Sequence, residues 1–328
     1  MILIISSDFD ESTDKIMKWL IRKGEEVVRT GSFNYLSGIT ISLIKGELRV
    51  SLKLSSGMNF ELDEIKSFWY RKSWFRMFEN LEFIFPEELE SVNSDYREYL
   101  LNEEISSLET FIVKRFEDRP HIGNYFAKNG NKLVYFLEAS NAGMKIPDFT
   151  VTTDKSLVER ELKRGIKMVK PIQDLFYSNT EKESIKNYYS IDYSVEELSK
   201  FNETIFPSML QSYIDKKIEI RVFYLHGELY SMAIFSQNDD KTRVDFRNYN
   251  DEFPNRMIPF KMPGDMCSKI RVFMNAINLN TGSLDFILTE EEDYIFLEVN
   301  PAGQYGMIEQ NCFYSLDERI SDFLSYEL

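Results

Sequence analysis

The stretch Phe296-Leu297-Glu298-Val299-Asn300-Pro301-Ala302-Gly303-Gln304-Tyr305-Gly306 decides how the rest of the chain is read. A short apolar run carries a carboxylate and a carboxamide two positions apart, then breaks at Pro and Gly. Strand side chains alternate between faces, so Glu298 and Asn300 point one way and Leu297 and Val299 the other. Two neighbouring oxygen donors suit Mg²⁺, a hard ion held by one or two carboxylates together with substrate phosphates. An ordinary strand with a polar solvent face has the same pattern, and the preceding segment separates the two readings. Residues 283–288, Ser-Leu-Asp-Phe-Ile-Leu, form a second strand, with 290–293 as the connection. An even-length loop centred between Glu291 and Glu292 sets Asp285 opposite Glu298. Facing carboxylates on an antiparallel pair repel, and a bridging divalent cation relieves that repulsion.

Asp285 followed by Glu298-x-Asn300 on the next strand resembles the metal-binding end of ATP-grasp enzymes. The continuation 300–306 is similar to that of the graspetide (omega-ester peptide) synthetases, in particular the grasp-with-spasm peptide maturases. The resemblance runs from about His121 to the C-terminus and is looser before it. It implies an α/β chain of ATP-grasp fold with an N-terminal pre-ATP-grasp α/β domain (1–118), a central lid subdomain (119–205) and a C-terminal subdomain with the metal site (206–328). It also implies ATP and Mg²⁺ as cofactors, with Asp285, Glu298 and Asn300 as metal ligands.

Local patterns along the chain fit that frame. Residues 1–5 read as a buried strand. Residues 10–23 read as a helix with Ser12 or Thr13 as N-cap and Gly24 as terminator. Segments 39–44 and 48–54 form a hairpin about Lys45-Gly46-Glu47. The strand 67–70 ends in Arg71-Lys72, where the resembled family has a Trp-Tyr-Arg-Arg-like motif; only Arg71 is carried over. Residues 86–117 carry a helical apolar stripe suited equally to internal packing and to a homodimer.

Lys132 opens a helix, where an ammonium adds to a site already favourable to anions. The resemblance makes it the first phosphate lysine. Lys170 lies in the apolar strand 165–171, where an unpaired ammonium is costly; it matches the second phosphate lysine. Residues 207–214 resemble the adenine hinge, which assigns Gln211, Tyr213 and Ile214 to the base. In the alternating run 218–224, Glu219 and Arg221 share a face. Glu219 fits a ribose-hydroxyl acceptor and Arg221 a phosphoryl clamp, because its planar fork spans two oxygens. Asp245-Phe246-Arg247 resembles an Asp-Trp-Arg-like segment and makes Arg247 the candidate for orienting the acyl phosphate or acceptor carboxylate. Residues 174–203 are acidic, Tyr-rich and free of glycine, a departure from the mobile Gly-rich loop of other ATP-grasp enzymes. A surface for the leader segment of a precursor peptide and an unstructured loop are both open for them.

Composition sets the outer limits. A net charge of −15 argues against duplex nucleic acid and anionic membranes. No apolar run reaches the roughly 20 residues of a membrane span, and the N-terminus lacks signal-peptide chemistry. Cys267 and Cys312 read as reduced thiols of a cytoplasmic protein. With only His121 and His226, a Ser/His/Asp triad or a His-rich metal site is nearly excluded. His226-Gly227 reads as a hairpin turn.

The resemblance implies a ligase in which an Asp or Glu carboxylate of a ribosomal precursor (leader plus acidic core) attacks the γ-phosphate of ATP. A Ser/Thr hydroxyl or a Lys amine then opens the acyl phosphate to close a ring. The competing readings are an ATP-grasp amino-acid ligase acting on a protein tail or small molecule, and a nucleotide-binding module without catalysis.

Overall fold

The apolar run at the N-terminus forms β1 (Ile2–Ser6), buried along its whole length. It lies between two parallel neighbours, β2 (Val27–Thr30) and β6 (Ser67–Lys72), with β7 (His121–Ile122) beyond β6. Parallel strands covered on both faces carry continuous apolar sequence, which is why Ile-Leu-Ile-Ile shows no alternation. The helix Glu11–Arg22 follows β1. Its N-cap is Asp10, whose carboxylate accepts from the Thr13 N–H at 2.8 Å, and not Ser12 or Thr13 as expected. Thr13 is buried instead and shares a 2.7 Å hydrogen bond with Ser6.

The computed structural model describes residues 1–72, 96, 99–164, 168–170, 172, 202–237 and 255–325. The chain separates into two units, residues 1–128 with 301–309 and 313–328, and residues 129–300 with 310–312. In the first, β3 (Leu36–Ile44), β4 (Glu47–Leu54) and β5 (Asn59–Glu61) form a small antiparallel sheet in that order. The β3–β4 turn holds only Lys45 and Gly46, with φ of 52° and 86°, so Glu47 belongs to the strand. Of the helix expected over 86–117, Ser106–Glu117 is α-helical after a π-helical Leu100–Ile105, and residues 86–95 lie outside the described residues. Leu3, Ile5, Phe68, Ile112 and Phe116 are centred in one core, with the Phe68 and Phe116 rings 5.2 Å apart. The last helix, Leu316–Ser325, joins this unit: the Ser67 hydroxyl donates to the Leu324 carbonyl at 2.6 Å, and Lys23 pairs with Asp322 at 2.6 Å.

The second unit contains two sheets. In the smaller, β10 (Thr204–Gln211) lies between β8 (Phe149–Asp154) and β9 (Met168–Lys170). Val158 of the helix Lys155–Lys163 packs on Leu210 beneath it. The larger is fully antiparallel: β13 (Arg256–Phe260), β12 (Glu228–Phe235), β11 (Ile218–Leu225), β14 (Thr281–Leu288) and β15 (Tyr294–Asn300), in that order. The β11–β12 connection is His226-Gly227, with φ of 46° and 95°, as the hairpin reading of His226 expected. Phe136 and Phe273, from the helices Lys132–Asn141 and Gly264–Ala276, meet Phe286 and Phe296 of the sheet. Ring separations to Phe296 are 6.3, 5.0 and 5.6 Å for Phe136, Phe273 and Phe286. Among the described residues no helix is long and apolar enough to cross a membrane.

Candidate nucleotide and metal site

Asp285 does face Glu298, though by a different route from the one the sequence implied. The β14–β15 connection spans 289–293, an odd number of residues, so the hairpin centres on Glu291 and pairs Leu288 with Tyr294 and Phe286 with Phe296. Leu297 is then an extra residue, a β-bulge, beyond which Asp285 opposes Glu298 and Ser283 opposes Asn300. Bulges re-aim the side chains that follow them. In a regular strand Phe296 and Glu298 would share a face. With the bulge, Phe296 stays in the aromatic core with Phe286, while Glu298 and Asn300 lie on the opposite face with Asp285.

The same face carries the neutralising charges. Arg221 on β11 is the direct partner of Asp285. Its guanidinium is bidentate, Nε to Oδ1 at 2.8 Å and Nη2 to Oδ2 at 2.8 Å, and the two side chains are only 12% and 14% exposed. Lys132, first residue of its helix, puts Nζ 3.9 Å from Glu298 Oε2. Its position follows from the cap: the Asn131 side chain accepts from the Leu133 and Val134 N–H groups at 3.0 and 3.2 Å. Arg221, Asp285, Glu298 and Lys132 are thus charge-balanced, and the repulsion that the sequence reading assigned to a metal is met here by two side-chain cations.

The other candidate residues surround this row to differing degrees. Gln211 closes β10 and is buried, and its Oε1 has no hydrogen-bond partner. Tyr213 and Ile214 follow in an extended segment, half-buried, with the Ser212 N–H donating to the Asp148 carbonyl at 2.9 Å. Lys170 ends β9 opposite Met209 and is half-buried. Glu219 shares the Arg221 face but is engaged: Lys216 and the Ser236 hydroxyl, the latter at 2.7 Å, both bind Oε1. Burial pushes the Glu219 carboxyl above the ordinary range, against the pull of Lys216 and Ser236. Arg247 lies outside the described residues, as do residues 174–201 of the expected leader surface.

Sequence reasoning missed Lys216 and Ser236. Lys216 precedes β11 and is 8% exposed. No periodicity marks it, because the chain before β11 is irregular. Arg71 is also used, in the first unit, where its guanidinium donates to the Ala302 and Gly303 carbonyls and holds the turn after Asn300.

As a donor set, two carboxylates and a carboxamide fit Mg²⁺ shared with phosphates better than a metal held by protein alone. Among the described residues no three His, Cys, Asp or Glu side chains are grouped for that second purpose. An unpartnered buried acceptor at Gln211 fits the amino donor of an adenine.

No protein-family model matches the chain, and no curated protein matches it. Solved structures do. A RiPP-associated ATP-grasp ligase of Chryseobacterium gregarium, in complex with ADP and a leader and core peptide, superposes with a TM-score of 0.78 at 21% identity, over 100% of this chain and 97% of that one. A macrocyclase of Microcystis aeruginosa bound with its precursor peptide gives 0.73 at 20%, over 99% of each chain. The ATP-grasp ligase PsnB, complexed with a minimal precursor, Mg and ADP, gives 0.69 at 14%, over 99% and 96%. The chain has the ATP-grasp fold along its whole length.

Proposed function

We propose that the chain is an ATP-dependent peptide macrocyclase that joins Asp or Glu side chains of a ribosomal precursor to Ser/Thr hydroxyls or Lys amines of the same peptide. The observation that carries this reading is the row Arg221–Asp285–Glu298–Lys132 on one face of β11, β14 and β15, in a chain whose fold follows peptide-bound ligases end to end. The nucleotide would lie with its adenine at Gln211, Tyr213 and Ile214, its ribose towards Glu219 Oε2, and its phosphates near Lys170 and Lys132.

Asp285, Glu298 and Asn300 would hold Mg²⁺, which neutralises phosphate charge. A dication alone meets Arg221 and Lys132 beside its ligands, so the site favours metal that arrives with the negative charge of a nucleotide. Phosphoryl transfer needs mainly alignment and charge stabilisation. A substrate carboxylate oxygen takes the γ-phosphoryl group and ADP departs. The hydroxyl or amine then attacks the acyl carbon, and inorganic phosphate and a proton leave. Arg221 can pass from Asp285 to the transferring group without losing its fork geometry. In this reading Arg247 orients the reacting carboxylate and 174–203 anchors the leader, which raises the local concentration of an acidic core that the chain's −15 charge repels.

Incubation with an acidic, Ser/Thr- or Lys-containing precursor, ATP and Mg²⁺ should give ADP and a peptide lighter by one water per ring. ADP formation with small amino acids but never with peptides would overturn the peptide assignment and leave an ATP-grasp ligase of another substrate class.

A further inference from the structure

We propose that Lys216, together with Ser236, is a positioning residue for the nucleotide: the two engage one oxygen of Glu219 and leave the other as the acceptor for both ribose hydroxyls. The inference rests on the nucleotide reading above and gives a task to two side chains that stand outside it. Lys216 lies in the irregular segment between β10 and β11, and Ser236 directly follows β12. The Lys216 ammonium and the Ser236 hydroxyl, the latter at 2.7 Å, both donate to Glu219 Oε1. Among the described residues Oε2 has no hydrogen-bond partner.

Stability alone does not account for this arrangement. The Lys216 and Glu219 side chains are 4% and 11% exposed, and a buried ion pair does about as well as apolar residues of the same volume. The adjacent Lys217 takes the ordinary course, its ammonium meeting Glu292 at the surface. What the buried pair supplies is direction. A carboxylate with both oxygens free can turn about its last bond, whereas one held at Oε1 by donors from two elements presents Oε2 at a fixed point. That point is on the Arg221 face of β11, two residues and roughly 7 Å along the strand from the phosphoryl clamp. The cross-strand neighbours of Glu219 are Ile234 and Ile287, so neither offers Oε2 a donor. Burial pushes the carboxyl up, and the Lys216 charge is the first of the neighbours that oppose it, which keeps Oε2 an acceptor. A carboxylate oxygen with room for two hydrogen bonds matches a cis-diol and selects ribonucleotides.

Titration calorimetry of the full chain with ADP and with 2′,3′-dideoxy-ADP, which lacks both hydroxyls, reads this directly. The wild type should prefer ADP roughly 10- to 100-fold, the range of one or two hydrogen bonds to a charged group. Glu219→Gln, which removes the anion, should lose most of that preference. Lys216→Met should lose most of it too, through weaker ADP binding, while its affinity for the dideoxy nucleotide stays at the wild-type value. Ser236→Ala keeps the ion pair and removes one donor, so its preference should fall between, and it decides the matter if Lys216→Met fails to fold. Lys217→Met should match the wild type. A wild-type preference in Lys216→Met, or in Ser236→Ala where the methionine variant does not fold, overturns the positioning role while Glu219→Gln still loses its preference. Equal weakening of both nucleotides marks a merely structural pair and overturns it as well. If Glu219→Gln keeps the preference, or the wild type has none, the ribose assignment falls with the proposal, and ADP binding by the wild type shows that the nucleotide reading does not.

Discussion

Replacing Arg221 by Ala leaves Asp285 facing Glu298 with its own counter-charge gone. Removing one partner of a buried ion pair costs about 3–5 kcal/mol. At 12% and 14% exposure the lower end applies, since some water reaches the carboxylate that remains. With about 2–4 °C per kcal/mol for a body of 150–250 residues, the expected fall in Tm is roughly 6–12 °C. The sign of the Mg²⁺ effect is the stronger test. In the wild type the guanidinium occupies Asp285, so Mg²⁺ without nucleotide should move Tm little. In Arg221→Ala the two facing carboxylates lack that competitor, so millimolar Mg²⁺ should restore much of the loss. Scanning calorimetry of both proteins, with and without Mg²⁺, reads this directly, and Arg221→Met with Asp285→Leu should recover most of the stability. An Arg221→Ala Tm within about 2 °C of wild type, or a variant no more responsive to Mg²⁺ than wild type, would refute the reasoning.

Two further outcomes follow from single side chains. Gln211→Leu removes a buried acceptor that has no partner, so the apo protein should keep its Tm, while calorimetric titration should show ADP binding weakened about tenfold, as for one lost hydrogen bond of ~1.4 kcal/mol. Burial pushes the Cys312 thiol up to about 11, so at pH 8 an alkylating agent should modify Cys267 alone, with Cys312 following only on unfolding; equal labelling of both in the native protein would contradict the structure.

Much of the local structure was legible because it rests on local physics. The buried run at 2–6 and the turn at His226-Gly227 need only composition and backbone preference. The cap at Asp10 was misassigned by two or three positions because Asp10, Ser12 and Thr13 are all competent acceptors. Burial of Thr13 against Ser6, which decides among them, is tertiary. The return of Leu316–Ser325 to β6 through Ser67 and Leu324 links residues 257 positions apart, and no window of sequence encodes it.

The metal-end hairpin shows how a conclusion can survive a wrong derivation. Parity placed Glu298 and Asn300 together, and symmetry about the connection placed Asp285 opposite Glu298. The connection has odd length, and without the bulge Asp285 would have faced Leu297. The segment has to satisfy two demands of opposite phase. Phe296 must enter the core beside Phe273 and Phe286, and Glu298, two residues later, must leave it. A strand of period two cannot do both, so one residue has to be inserted between them, and Leu297 is that residue. The conflict is written in the sequence, since a core aromatic and a site carboxylate of equal parity on one short strand already require a bulge. Reading it needs the knowledge that Phe296 is core, and that comes from helices contributed by 132–141 and 264–276.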